Sequence, residues 1–248
     1  MGDIAHSFAF VGLESLRRIH CRNCGSRLSS STTDMKQILD TFTSLLREKF
    51  GTPIVTTEDC IRYTFFAALL HAGLKPHQIV QELPHPAIHQ KEVDTWIPDY
   101  KGSEYFIEFK FDRLPSGGST QNKTDRSGKL LNDMLRLAMI PSEVGKKRDR
   151  MFVYLTDAGM HTYFTNPNNG YAGIYDGNCN QTQEITQRFM TSRPQSAQKA
   201  ITCEMFPIRA TPIYKLAVNH QLQLRVFLIE RIVEPSGGAY APPRAAHP

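Results

Sequence analysis

Apolar residues first recur with a helical period from Asp34, where Met35, Ile38, Leu39, Phe42, Leu45 and Leu46 line one face and Gly51 follows the last turn. A second helix is predicted from Thr57, an N-cap residue type with Glu58 and Asp59 in the first turn, through Ile61, Phe65, Phe66, Leu69 and Leu70 to Gly73. A short helix is expected after Pro76, over HQIVQEL. The period then switches to two. Val93–Pro98 and Tyr105–Phe111 read as strands joined by a turn around Tyr100–Gly102. The polar, glycine-rich stretch 112–128 reads as a long loop, and Lys129–Ile140 as a helix with Leu130, Leu131, Met134, Leu137 and Ala138 on its apolar face. Strands are predicted at 151–156 and 225–233 and a helical stretch at about 181–191, with the Asn/Gly-rich segment 157–180 read as a surface insertion.

Helix, hairpin, helix and strand in that order predict one α/β domain with a mixed central sheet. The expected boundaries are a flexible lead-in over 1–32, a single domain over 33–234 and a disordered tail over 235–248. There is no internal repeat.

Composition narrows the class. With 248 residues, 40% hydrophobic and 21% charged, the chain has the profile of a globular domain with a real core. No apolar run approaches the ~20 residues of a membrane span, and no charged n-region precedes an apolar stretch. Five cysteines, an odd number, argue against a disulfide scaffold and for a reducing compartment, so a cytoplasmic protein is expected. Cys21-x-x-Cys24 has no second knuckle to complete four ligands, so zinc is not expected there. P-loop, GxGxxG, GxSxG and zincin motifs are absent. Net charge is +5, and residues 101–150 hold 11 Lys and Arg against 7 Asp and Glu, a block that suits an anionic polymer or simply a solvated surface.

The chemistry concentrates in KEVDTWIPDYKGSEYFIEFKFDR, residues 91–113. Glu108 and Lys110 share one face of a strand otherwise built of Tyr105, Phe106, Ile107, Phe109 and Phe111. Charges among such neighbours are expensive to bury without partners. A hairpin turning at Tyr100–Gly102 would set Asp94 opposite Glu108, beside Lys110. Two carboxylates that close repel unless a cation lies between them, and hard oxygen donors select Mg²⁺ or Mn²⁺. Such an ion with a nearby lysine suits phosphodiester hydrolysis.

Asp94, then Glu108-x-Lys110 on the next strand, after a helix with Glu58 near its start, resembles the PD-(D/E)XK nuclease superfamily, which includes restriction endonucleases and Holliday junction resolvases. The resemblance spans roughly residues 57–156. It implies a restriction endonuclease-like αβββαβ core, a metal held by Asp94, Glu108 and the main-chain carbonyl of Phe109, Lys110 as catalytic lysine, and Glu58 as the first-helix acid. Pro98-Asp99 is a second candidate for the metal aspartate, although Pro-Asp before Lys101-Gly102 is more naturally a turn, and Asp94 is favoured. Plainer readings stand beside these: a cross-strand ladder for Glu108 and Lys110, a helix N-terminal charge for Glu58, and a core residue rather than a base-stacking platform for Trp96.

Arg113, Gln121, Asn122, Lys123 and Arg126 in the long loop, and Lys129, Asn132 and Arg136 on the following helix, are candidate nucleic-acid contacts or a solvated face. The expected function is a Mg²⁺-dependent endonuclease cutting DNA, with Mn²⁺ able to substitute, plausible in restriction or defence by analogy, and able to work as a homodimer. The competing expectations are a catalytically inactive nucleic-acid-binding or scaffold protein of the same fold, or a nuclease for branched DNA or RNA.

Overall fold

The computed structural model describes residues 30–51, 57–113 and 120–233. The lead-in with Cys21 and Cys24 and the tail after 233 lie outside the described residues. The protein is an α/β fold with a seven-stranded mixed sheet and helices on both faces. In chain order come α1 (Ser30–Phe50), α2 (Glu58–His71), β1 (Val80–Pro84), β2 (Glu92–Tyr100), β3 (Ser103–Asp112), α3 (Thr120–Ala138), β4 (Lys147–Asp157), α4 (Ala158–Thr165), α5 (Ala172–Tyr175), β5 (Gln183–Ile185), α6 (Gln187–Thr191), α7 (Gln195–Ala200), β6 (Ile208–Ala217) and β7 (Leu222–Arg231). The strand order is β1-β2-β3-β4-β7-β6-β5; β3 and β4 run parallel across the α3 connection, and the other neighbours are antiparallel. No helix among the described residues is long and apolar enough to cross a membrane.

Alternation along β3 divides the core. Tyr105, Ile107 and Phe109 face a cluster with Phe42 and Leu46 of α1 and Ile61, Phe65 and Leu69 of α2. Phe106 faces the second cluster, with Leu131, Met134 and Leu135 of α3 and Phe152 and Tyr154 of β4. Glu108 and Lys110 have the parity of Phe106, so the sheet presents them on the α3 face.

Four expectations are corrected. After Pro76 only one 3₁₀ turn forms, Pro76–Gln78, and Val80–Pro84 is the edge strand β1. Val80 and Leu83 there pair with Trp96 and Val93 of β2, which favours strand over a longer helix. The segment 157–180 is no surface insertion, because Tyr163, Phe164, Tyr171, Ile174 and Tyr175 are buried in the α3-side core. The 181–191 stretch divides into β5 and α6, since Thr186 caps α6 by accepting from the Phe189 amide. Helix α3 begins at Thr120, nine residues before the predicted start. Gly128, the last residue of the predicted loop, sits inside α3, where a Cβ would lie 2.1 Å from the Ala197 carbonyl oxygen of α7. Strand β6 has no counterpart among the predicted elements.

Candidate active site

The hairpin β2–β3 is closed by Lys101 and Gly102, both at positive φ (54° and 80°), the backbone pattern of a tight two-residue turn. Tyr100 pairs with Ser103, yet Ile97 pairs with Tyr105, so Pro98 and Asp99 together oppose Glu104 as a bulge. Without that extra residue Asp94 would face Phe109. With it, the pairs Ile97–Tyr105, Trp96–Phe106 and Thr95–Ile107 lead on to Asp94 opposite Glu108. Asp99 belongs to the turn, its Oδ1 accepting from the Gly102 amide at 2.9 Å. Asp94 lies opposite Glu108, its Oδ2 accepting from the Phe109 amide at 2.7 Å.

Glu58 and Lys110 meet from different elements. Thr57 caps α2 by accepting from the Cys60 amide, which starts the helix where Glu58 reaches the end of β3. Glu58 Oε2 accepts from the Phe111 amide at 2.9 Å and lies 3.4 Å from Lys110 Nζ. Burial alone would lower the Lys110 ammonium, but Glu58, Asp133 and Asp112 outweigh it and its pKa is raised. Lys110 is therefore a cation at neutral pH.

Glu108 is 5% exposed. Burial, with Asp94 and Asp133 adding to it, raises its pKa well above the usual carboxylate value, against the pull of Arg136. Arg136 NH2 lies 3.2 Å from Glu108 Oε1, and Arg62 NH1 lies 3.3 Å from Asp94 Oδ1. Each acid of the facing pair thus has its own guanidinium, from α3 and α2 respectively. Asp133, one turn before Arg136 on α3, is pushed up to about 6 by burial and by Glu58, with Lys110 and Arg136 opposing.

Arg62 and Asp133 were not foreseen as site residues. Their signal is helical spacing: Arg62 stands four residues after Glu58, and Asp133 three before Arg136. Glu82 was also missed. It lies between the pairs Gln81–Thr95 and Leu83–Val93, facing Asp94 from β1, and its φ of 56° is rare for a non-glycine residue.

The remaining candidates divide by position. Asn132 Oδ1 accepts from the Thr202 and Cys203 amides at 2.8 and 3.3 Å, tying α3 to that loop. Arg126 is 2.8 Å from buried Asp112, which also accepts from Tyr154 Oη at 2.7 Å. Lys110, Phe111, Asp112, Asn122, Asp125, Arg126 and Lys129 line an open cleft of about 360 Å³ at the end of β3. Lys129 is exposed there and pairs with Asp125, Arg113 is exposed and Lys123 half-buried, and the Gln121 side chain lies outside the described residues. Trp96 packs partly buried on Phe106, its Nε1 donating to Glu104 at 2.9 Å, which is a core role.

The donor set suits a hard divalent cation. Asp94 and Glu108 supply carboxylate oxygens whose mutual repulsion a cation would relieve. The Phe109 amide points toward Asp94, and in an extended strand the carbonyl of the same residue faces the same edge. Among the described residues no group of three or more His, Cys, Asp and Glu is arranged to hold a metal ion, so two carboxylates and a backbone carbonyl would form the protein's whole contribution. Comparison with protein-family models, with curated proteins and with solved structures finds no match.

Proposed function

We propose that this protein is a Mg²⁺-dependent endonuclease that hydrolyses DNA phosphodiester bonds, with Mn²⁺ able to replace Mg²⁺. The observation that carries the reading is the register of the β2–β3 hairpin, which sets Asp94 against Glu108 with Lys110 on the same face and Glu58 joined to Lys110. The succession α2-β1-β2-β3-α3-β4, with β4 parallel to β3, supports a restriction endonuclease-like αβββαβ core.

Asp94, Glu108 and the Phe109 carbonyl would hold the ion, which would lower the pKa of a bound water and offset charge on a phosphoryl oxygen. Lys110, kept protonated by Glu58, Asp133 and Asp112, suits it to donate a hydrogen bond to the attacking water or to the pentavalent oxyanion, rather than to accept a proton. Glu58 orients that ammonium and anchors it to the backbone at Phe111. The cleft bearing Lys129 and Arg126 lies beside Lys110 and offers a path for a phosphate backbone.

Plasmid nicking in Mg²⁺ or Mn²⁺ tests the reading. Glu108→Gln and Lys110→Ala are each expected to lower the rate by about 10²–10³-fold while melting as folded proteins. Cleavage retained in both variants, or none by the parent protein on plasmid, branched DNA and RNA, overturns the reading and leaves an inactive nucleic-acid-binding role.

A further inference from the structure

Arg136 stands where a metal ion and a guanidinium would need the same carboxylate. Its NH2 is shared between the Glu92 carbonyl at 2.9 Å and Glu108 Oε1 at 3.2 Å, while NH1 reaches Asp133 at only 3.4 Å. Neither carboxylate receives the two short parallel bonds that a guanidinium makes when its geometry is satisfied. Its Nε is buried with no hydrogen-bond partner. The backbone beneath is held: His85 Nδ1 accepts from the Ala87 amide, which leaves Nε2–H to donate to the Arg136 carbonyl at 3.0 Å. A fixed main chain thus carries a loosely satisfied cationic side chain.

The charges around it sharpen the point. Asp94, Glu108, Glu58 and Asp133 have Lys110, Arg62 and Arg136 as counter-ions, and Arg62 is shared with Asp59 and Glu82, so Arg136 is the cation committed to Glu108 before any metal arrives. A divalent ion entering between Asp94 and Glu108 would crowd the guanidinium on Glu108 with like charge. A phosphodiester would supply the anion that the guanidinium then needs.

Resting on the nuclease reading, we infer that Arg136 is a built-in counter-ion that competes with the divalent metal for Glu108 and moves to a substrate phosphate, so that metal and nucleic acid bind with positive coupling. The free protein holds the metal weakly, and the substrate tightens it by drawing Arg136 away. By linkage, the metal tightens nucleic acid by the same factor.

Calorimetric titration with Ca²⁺ tests this without turnover, with the parent protein and the variants compared at one pH. Arg136→Met keeps the aliphatic stem; Arg136→Gln serves if that variant melts early. Either is expected to bind Ca²⁺ about tenfold more tightly than the parent protein in the absence of DNA, the size of an ordinary coupling between two sites. A short phosphorothioate duplex is expected to tighten Ca²⁺ binding by the parent protein and to leave the Arg136 variants unchanged. Equal or weaker Ca²⁺ binding by both folded variants overturns the inference, and if plasmid nicking still depends on Glu108 the nuclease reading stands. Failure of the parent protein, the Arg136 variants and Glu108→Gln alike to bind Ca²⁺, together with no nicking, overturns both.

Discussion

Strand β3 carries two buried glutamates on one face, four residues apart, and their surroundings differ in kind. Glu104 meets Arg148 Nε at 2.5 Å and accepts from the Trp96 indole at 2.9 Å, with Arg148 also lying over the Phe106 ring. Glu108 meets Arg136 at 3.2 Å and faces Asp94, with Asp133 nearby. One carboxylate is closed off by a short ion pair and an indole. The other is held by a longer ion pair against a second acid. Burial is almost equal, at 6% and 5% exposed, so desolvation alone does not separate them. The sign of the nearest unmatched charge does. A buried acid beside a cation fastens the fold, whereas a buried acid beside another acid is a place prepared for something else.

That contrast can be broken most directly by neutralising each glutamate. Glu104→Gln leaves half-buried Arg148 with only the exposed Glu143 as carboxylate partner and is expected to destabilise the fold by about 3 kcal/mol, read by urea unfolding. Glu108→Gln removes the repulsion with Asp94 and is expected to cost nothing or to stabilise by about 1 kcal/mol. Equal losses would remove the distinction between the two sites.

A smaller effect follows from pH. Glu108 and Asp133 bind their protons more tightly folded than unfolded, so the metal-free fold loses stability as pH rises through their folded values. For Asp133 the window runs from 3.8 to about 6, and the loss is on the order of 3 kcal/mol. Asp133→Asn and Glu108→Gln should each flatten the fall. Mg²⁺ should oppose it, because only the deprotonated carboxylate binds metal. Unfolding curves from pH 4 to pH 8 that do not distinguish the variants would count against a poised Glu108.

The smallest effect lies on the cleft. Lys129→Ala removes an exposed cation paired with half-buried Asp125, so stability should move by no more than about 0.5 kcal/mol. The salt dependence of DNA binding should fall by about one unit of slope, seen in fluorescence anisotropy across a salt series. An unchanged slope would place the nucleic-acid path elsewhere.

The hairpin and its charged residues were legible because alternation and residue type are local. Even so, the register came out as expected only through a feature that alternation does not reveal. The turn lies half a residue from the predicted centre, and the bulge at Pro98-Asp99 restores Asp94 to Glu108. Helix α3 was half hidden, since Gly128 and the polar run before it read as loop, and only the approach of Ala197 shows why a glycine belongs there. The aromatics of 157–180 were scattered among asparagines and glycines, and their burial depends on a core assembled from distant strands.

What the sequence by itself determined was the α/β class, the two N-terminal helices and the strands that bear Asp94, Glu108 and Lys110. Those follow from periodicity and capping within a few residues of each position. Tertiary structure decided which acids meet. Glu58 reaches Lys110 across 52 positions, and Arg136 reaches Glu108 across 28, only because α2 and α3 pack at the same end of β3. Charge interactions depend on separation in space, and no local pattern in a chain encodes the distance between residues that far apart in it.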